Sequence, residues 1–137
     1  MQKETLKVLV IDDHMLMRNL LTQCLVSIGI KDIKFAANGN DALEEIKSSQ
    51  NAGKIFDVIM ADWNMPMMNG FELLQKVRGE LKLSKTAFVM ITAESEKGKI
   101  MEALQAGVTS YIVKPFSPED ISKHMAKVMN WLESNRG

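Results

Sequence analysis

An internal disulfide is closed to this chain, which has one cysteine, Cys24. Leu20, Leu21, Leu25 and Ile28 recur around it at helical spacing, which marks a buried, inert thiol. Charge of either sign is also missing in excess. Seventeen Lys and Arg offset seventeen Asp and Glu over 137 residues, and without a basic surplus the electrostatic footprint for nucleic acid or anionic membrane is lost. No stretch of eighteen apolar residues is present and the first seven residues have no apolar segment, so neither a membrane span nor a signal peptide is expected. These absences leave a soluble, cytoplasmic protein in a reducing compartment, with proteins as partners and neither nucleic acid nor membrane among them; a monomer is expected.

What the chain does have is 46% hydrophobic content, enough over this length for one core. A single domain, residues 1–137 with its core at about 6–133, is expected. Four apolar runs each stop on a reactive polar group: residues 6–11 at Asp12 and Asp13, 56–61 at Asp62, 87–91 at Thr92, and 111–113 at Lys114. Their near-continuous apolar character fits parallel strands covered on both faces. Residues 33–37 add a shorter strand before Asn38-Gly39. Met17, Leu20, Leu21, Cys24, Leu25 and Ile28, closed by Gly29, read as a helix, as do Ile121, Met125, Val128 and Leu132. Residues 41–48, 70–80 and 95–106 supply three more helices, the last closed by Gly107, while 48–54 reads as a polar surface loop. The fold class is therefore α/β: a doubly wound, flavodoxin-like three-layer sandwich with a five-stranded parallel sheet in the order 2-1-3-4-5 and five flanking helices.

In such a sheet the strands' carboxyl ends share one edge, where open α/β folds bind ligands. An acid at a strand end often caps the next helix. Three acids gathered there raise one another's pKa unless a cation compensates. The donors are hard oxygens, with His14 as the only nearby imidazole, so Mg²⁺ or Mn²⁺ fits Asp12, Asp13 and Asp62 better than zinc or copper. For His14, next to Asp13, the readings are a touch on the metal site or helix-start solvation, and solvation is preferred. Asp62 is the natural nucleophile, because a carboxylate takes a phosphoryl group without first losing a proton. Lys114 and Thr92 then neutralise and donate to the equatorial oxygens. The isomer of the Lys114-Pro115 bond is left open, with trans the default.

Asp12-Asp13, Asp62-Trp63-Asn64-Met65-Pro66, Asn69-Gly70, Thr92-Ala93-Glu94 and Tyr111-Ile112-Val113-Lys114-Pro115-Phe116 together resemble the receiver domain of two-component response regulators over essentially the whole chain, and its single-domain chemotaxis members in particular. The resemblance implies that Asp62 accepts a phosphoryl group from a histidine kinase, with Mg²⁺ held by Asp13, Asp62 and the Asn64 carbonyl and reached by Asp12 through water. It implies that Thr92, Ala93 and Lys114 contact the phosphoryl group, and that Thr92 and Tyr111 switch on phosphorylation. A partner surface of Ser95, Lys97, Tyr111, His124 and Lys127 follows, for a flagellar motor switch protein, with a phosphatase as a further partner. His124 reads as a solvated helix residue. The expected product is a signalling switch that acts by protein contact and catalyses only its own phosphotransfer and autodephosphorylation. Within the family the alternative is a phosphorelay shuttle or phosphate sink. A haloacid-dehalogenase-like aspartyl-phosphate phosphatase would want a second acid where Asn64 stands, and an FMN carrier would be repelled by the two aspartates after the first strand.

Overall fold

A computed structural model describes residues 3–93 and 98–136. Five strands, β1 (Lys7–Ile11), β2 (Asp32–Ala36), β3 (Val58–Asp62), β4 (Ala87–Ala93) and β5 (Ser110–Lys114), alternate with α1 (Met15–Ser27), α2 (Gly39–Asn51), α3 (Gly70–Gln75), α4 (Ile100–Gln105) and α5 (Pro118–Arg136). The sheet is parallel, in the order β2-β1-β3-β4-β5, as the sequence predicts.

Period-two alternation sorts the strand residues into two cores. Val8, Val10, Val58, Met60, Val89, Ile91 and Ile112 pack with Leu21, Cys24 and Leu25 of α1 and with Ile121, Met125, Val128 and Leu132 of α5. Leu9, Ile11, Ile59, Ala61, Phe88 and Met90 pack on the other side with residues of α2, α3 and α4. Every residue of the central strand β3 is buried, whereas four of the five residues of edge strand β2 are exposed or half-exposed. Cys24 is 5% exposed and burial raises its thiol pKa, in keeping with an inert side chain.

Local chemistry sets the helix ends. The Asn38 side chain accepts from the Asp41 amide at the start of α2. Asn69 and Glu72 form a reciprocal capping box on α3. Gly29, at φ +100°, follows the end of α1, and the Ile30 amide reaches back to the Leu25 carbonyl.

Three expectations need correction. Residues 48–51 are the last turn of α2 rather than loop: Ser49 is buried, and its hydroxyl accepts from Lys7 Nζ, so the polar side chain is satisfied inside. The helix expected at 70–80 widens into a π-helical turn over Lys76–Glu80, where the Arg78 guanidinium donates to the Thr86 and Gly107 carbonyls and to Thr109 Oγ1. Leu20, placed in the core by periodicity, is 42% exposed and lines an open cleft with Met17, Lys114, Pro115 and Phe116. The helix expected at 95–106 is described as Ile100–Gln105, its first residues lying outside those described.

The turn after β3 leaves no room for a side chain at Gly70. A Cβ there would lie 2.5 Å from the Asp62 carbonyl oxygen, 2.7 Å from Met90 Sδ and 3.1 Å from Trp63 Cα. Gly70→Ala therefore pushes directly on the backbone that carries Asp62, and a loss of about 2 kcal/mol in urea unfolding is expected from such overpacking. A change within about 0.5 kcal/mol of the parent, the range of innocuous surface substitutions, would contradict this account.

Candidate functional site

The register aligns the strand ends. Ile11 pairs with Ala61, Asp62 with Ile91, and Ala93 with Lys114, so Asp12, Asp62, Thr92 and Lys114 gather on one edge of the sheet. By alternation, Asp12, Asp62 and Lys114 fall on the α1/α5 side, with Met60 and Ile112, while Thr92 and Tyr111 fall on the side of Phe88 and Met90.

Asp62 is 4% exposed, with its Oδ2 3.3 Å from Lys114 Nζ. Burial raises its pKa and the nearby Asp12 raises it further, against the opposing pull of the Lys114 ammonium and of the Asn64 backbone N–H, which donates to it. Asp12 is fully buried; its Oδ1 accepts from the His14 amide at 2.9 Å. It is therefore not the side-chain cap of α1, whose first turn starts from His14 without one. Among the described residues Asp12 Oδ2 has no hydrogen-bond partner, with Lys114 Nζ 3.8 Å away. Asp13 is about one-third exposed. Donor atoms from Asp12, Asp13, His14 and Asp62 all lie within 4.8 Å of one another. An orphaned buried carboxylate oxygen in a cluster of hard donors fits a divalent cation.

Around this cluster, the Trp63 amide donates to the Ile91 carbonyl, and the Trp63 carbonyl accepts from Gly70. The Trp63 ring, 4% exposed, stacks on Phe71 at 5.5 Å between centroids. Thr92 is 1% exposed, its hydroxyl donating to the Ala93 carbonyl at a long 3.3 Å. The Lys114-Pro115 bond is cis, the isomer opposite to the default.

The response regulator receiver domain matches residues 8–126. This chain belongs to the response regulator receiver family. It is 36% identical to the chemotaxis protein CheY1 of Helicobacter pylori over 90% of this chain and 97% of that one. It is 37% identical to the CheY homolog of Campylobacter jejuni over 90% and 92% of the two chains. Among solved structures, the chemotaxis response regulator CheY4 of Vibrio cholerae superposes with a TM-score of 0.78 at 35% identity, covering 90% of this chain and 98% of its own. The receiver domain of AraT from Geobacillus stearothermophilus gives 0.82 at 28% identity, covering 96% and 98%.

The receiver's remaining site candidates are less concentrated. Asn64 is exposed and meets Asp62 through its amide, while Ala93 is half-buried at the end of β4. Tyr111 is half-buried, packed against the core beneath α2, α3 and α4. Lys127 is exposed on α5; Ser95 and Lys97 lie outside the described residues, as does Glu94. One histidine reading is corrected and one is extended. His124 is not simply solvated: it is half-buried, its Nδ1 2.8 Å from Ser110 Oγ, and burial lowers its pKa with help from Lys127. The His14 ring is exposed, yet its Nδ1 faces both Asp12 and Asp13. Proximity of His14 to Asp13 in sequence was the one signal available for it. The contact between His124 and Ser110 spans fourteen residues and leaves no local trace.

Because the fold raises the Asp62 pKa, this group stabilises the fold while protonated, and that contribution is lost as pH rises through the folded pKa. Without added divalent cation, Asp62→Asn is expected to melt above the parent at neutral pH, the gap closing as pH falls toward the ordinary aspartate value of about 3.9. A gap independent of pH in paired thermal melts would contradict the assignment.

Proposed function

We propose that this chain is a phosphorylation-activated chemotaxis response regulator, in which Asp62 takes a phosphoryl group from a histidine kinase and the phosphorylated form binds a flagellar motor switch protein. The observation that carries this reading is the buried Asp62 carboxylate at the end of the central strand, between the Lys114 ammonium and the acids of β1's carboxyl end. The names of the CheY relatives from Helicobacter and Campylobacter supply the chemotaxis setting.

In this reading an Asp62 oxygen attacks phosphorus in line, the bond from phosphorus to the donor imidazole breaks, and an acyl phosphate forms as the imidazole departs. Asp13, Asp62 and the Asn64 carbonyl would hold Mg²⁺, with Asp12 supporting it through water, and the bound ion would neutralise charge on the phosphoryl oxygens. Lys114, already 3.3 Å from Asp62 Oδ2, turns to a phosphoryl oxygen as a point charge. Thr92 gives up its long bond to the Ala93 carbonyl and donates to another, beside the amide of Ala93. Tyr111 shares the Thr92 side of the sheet and packs on the core beneath α4, so a shift of Thr92 biases its position. The output surface then comprises Tyr111, His124 and Lys127 together with Ser95 and Lys97. The open cleft of about 370 Å³ lined by Met17, Leu20, Lys114, Pro115 and Phe116 gives a phosphodonor apolar ground beside the reactive lysine.

Binding to the amino-terminal peptide of a flagellar switch protein tests the proposal. With Mg²⁺ and beryllofluoride as phosphoryl mimic, the parent chain is expected to bind about tenfold more tightly than without them, within the usual range of allosteric coupling. Asp62→Ala is expected to lose the response altogether, and Lys114→Ala to bind the ion yet leave peptide affinity unchanged. No peptide binding, with Trp63 fluorescence still reporting site occupancy, would overturn the motor output in favour of a phosphorelay shuttle or phosphate sink.

A further inference from the structure

His14 has no role in the chemistry proposed above, yet it stands inside the acid cluster. Its Nδ1 lies 3.2 Å from Asp12 Oδ1 and 3.1 Å from Asp13 Oδ1. The ring is 71% exposed, so core packing does not hold it there; the carboxylates it faces account for its orientation. Asp12 contributes the independent observation. Its side chain is 0% exposed, and among the described residues its Oδ2 has no hydrogen-bond partner, with the Lys114 ammonium at 3.8 Å on that side. A buried carboxylate oxygen held only by a long ion pair, beside three other donor groups, is one that a cation or the water it carries completes.

We infer that His14 is a nitrogen ligand of the divalent-cation site, adding to the oxygen set of Asp13, Asp62 and the Asn64 carbonyl beside Asp12 and turning its selectivity from Mg²⁺ toward transition ions. Imidazole nitrogen is a borderline donor. It adds little to the binding of Mg²⁺, which prefers oxygen and keeps its waters, and progressively more along the series from Mn²⁺ to Co²⁺. The inference deepens the reading of the cluster as the receiver's cation site and rests on it.

The competing explanation for His14 is a protonated Nδ1 that merely donates to the two carboxylates. His14→Asn separates the two roles, because an Asn amide N–H can donate in the same direction but offers no basic nitrogen to a metal. The experiment is calorimetric titration of tag-free parent, His14→Ala, His14→Asn and Asp13→Asn chains with Mg²⁺, Mn²⁺ and Co²⁺, together with pulsed EPR of the bound Mn²⁺. Both His14 variants are expected to lose about tenfold in Co²⁺ affinity, a ligand-scale effect, with Mg²⁺ affinity changed by less than about twofold. Nitrogen-14 coupling to Mn²⁺ is expected in the parent and in neither His14 variant. An unchanged Co²⁺ to Mg²⁺ affinity ratio without nitrogen coupling, or recovery of the parent ratio by His14→Asn, would overturn the ligand role. Asp13→Asn distinguishes that failure from a deeper one: if it binds Mg²⁺ as the parent does, the reading of the cluster as the cation site falls as well.

Discussion

Three carboxylates crowd one edge of a parallel sheet, and the Lys114 ammonium stands closest to only one of them, at 3.3 Å from Asp62. Much else in the structure follows from that repulsion. The order β2-β1-β3-β4-β5 makes β1 and β3 neighbours, and their paired register carries Asp12 and Asp62 to the same height. Burial then denies the acids the water that would screen them, which raises the Asp62 pKa. An apolar core has no use for such an arrangement, since a buried carboxylate oxygen without a partner costs free energy. In the proposed reading, a cation and an incoming group complete it.

The same sheet divides the work between its two faces. Asp12, Asp62 and Lys114 fall by alternation on the α1/α5 side, and Thr92 and Tyr111 on the side of α2, α3 and α4. In the proposed switch, chemistry at Asp62 reaches the output surface across the edge of β4, through a threonine whose present bond, 3.3 Å to its neighbour's carbonyl, is weak enough to exchange. The tight turn at Gly70 and the capping box at Asn69 and Glu72 brace the backbone behind the acceptor. In the proposed switch, movement is thereby directed toward β4 and β5 rather than into the turn after β3.

Most of the fold was legible because the strands that carry the site are short apolar runs, and each stops at or beside a polar group whose place at the sheet edge follows from strand parity. What escaped was governed by contacts distant in sequence. Ser49 is polar but buried, because the Lys7 ammonium from β1 satisfies it, so polarity misread the end of α2 as loop. Arg78 satisfies carbonyls at the start of β4 and before β5, in a π-turn that apolar periodicity does not register. His124 meets Ser110 across β5 and α5, and the cis bond at Lys114-Pro115 is an isomer that residue types leave undecided. His14 lay in view beside Asp13, but single-residue odds favoured solvation over contact. Leu20 shows the converse error: a helical stripe says which residues share a face, not how far the covering layer extends.

The account stands on Asp62 as the residue that becomes an acyl phosphate. Incubation of the parent chain with Mg²⁺ and a small-molecule phosphodonor such as acetyl phosphate, followed by borohydride reduction, converts an acyl phosphate to the corresponding alcohol, which peptide mass spectrometry locates. The reduced position is expected at Asp62 alone. Modification at Asp12, Asp13 or another carboxylate, or none in a chain that binds Mg²⁺, would contradict it.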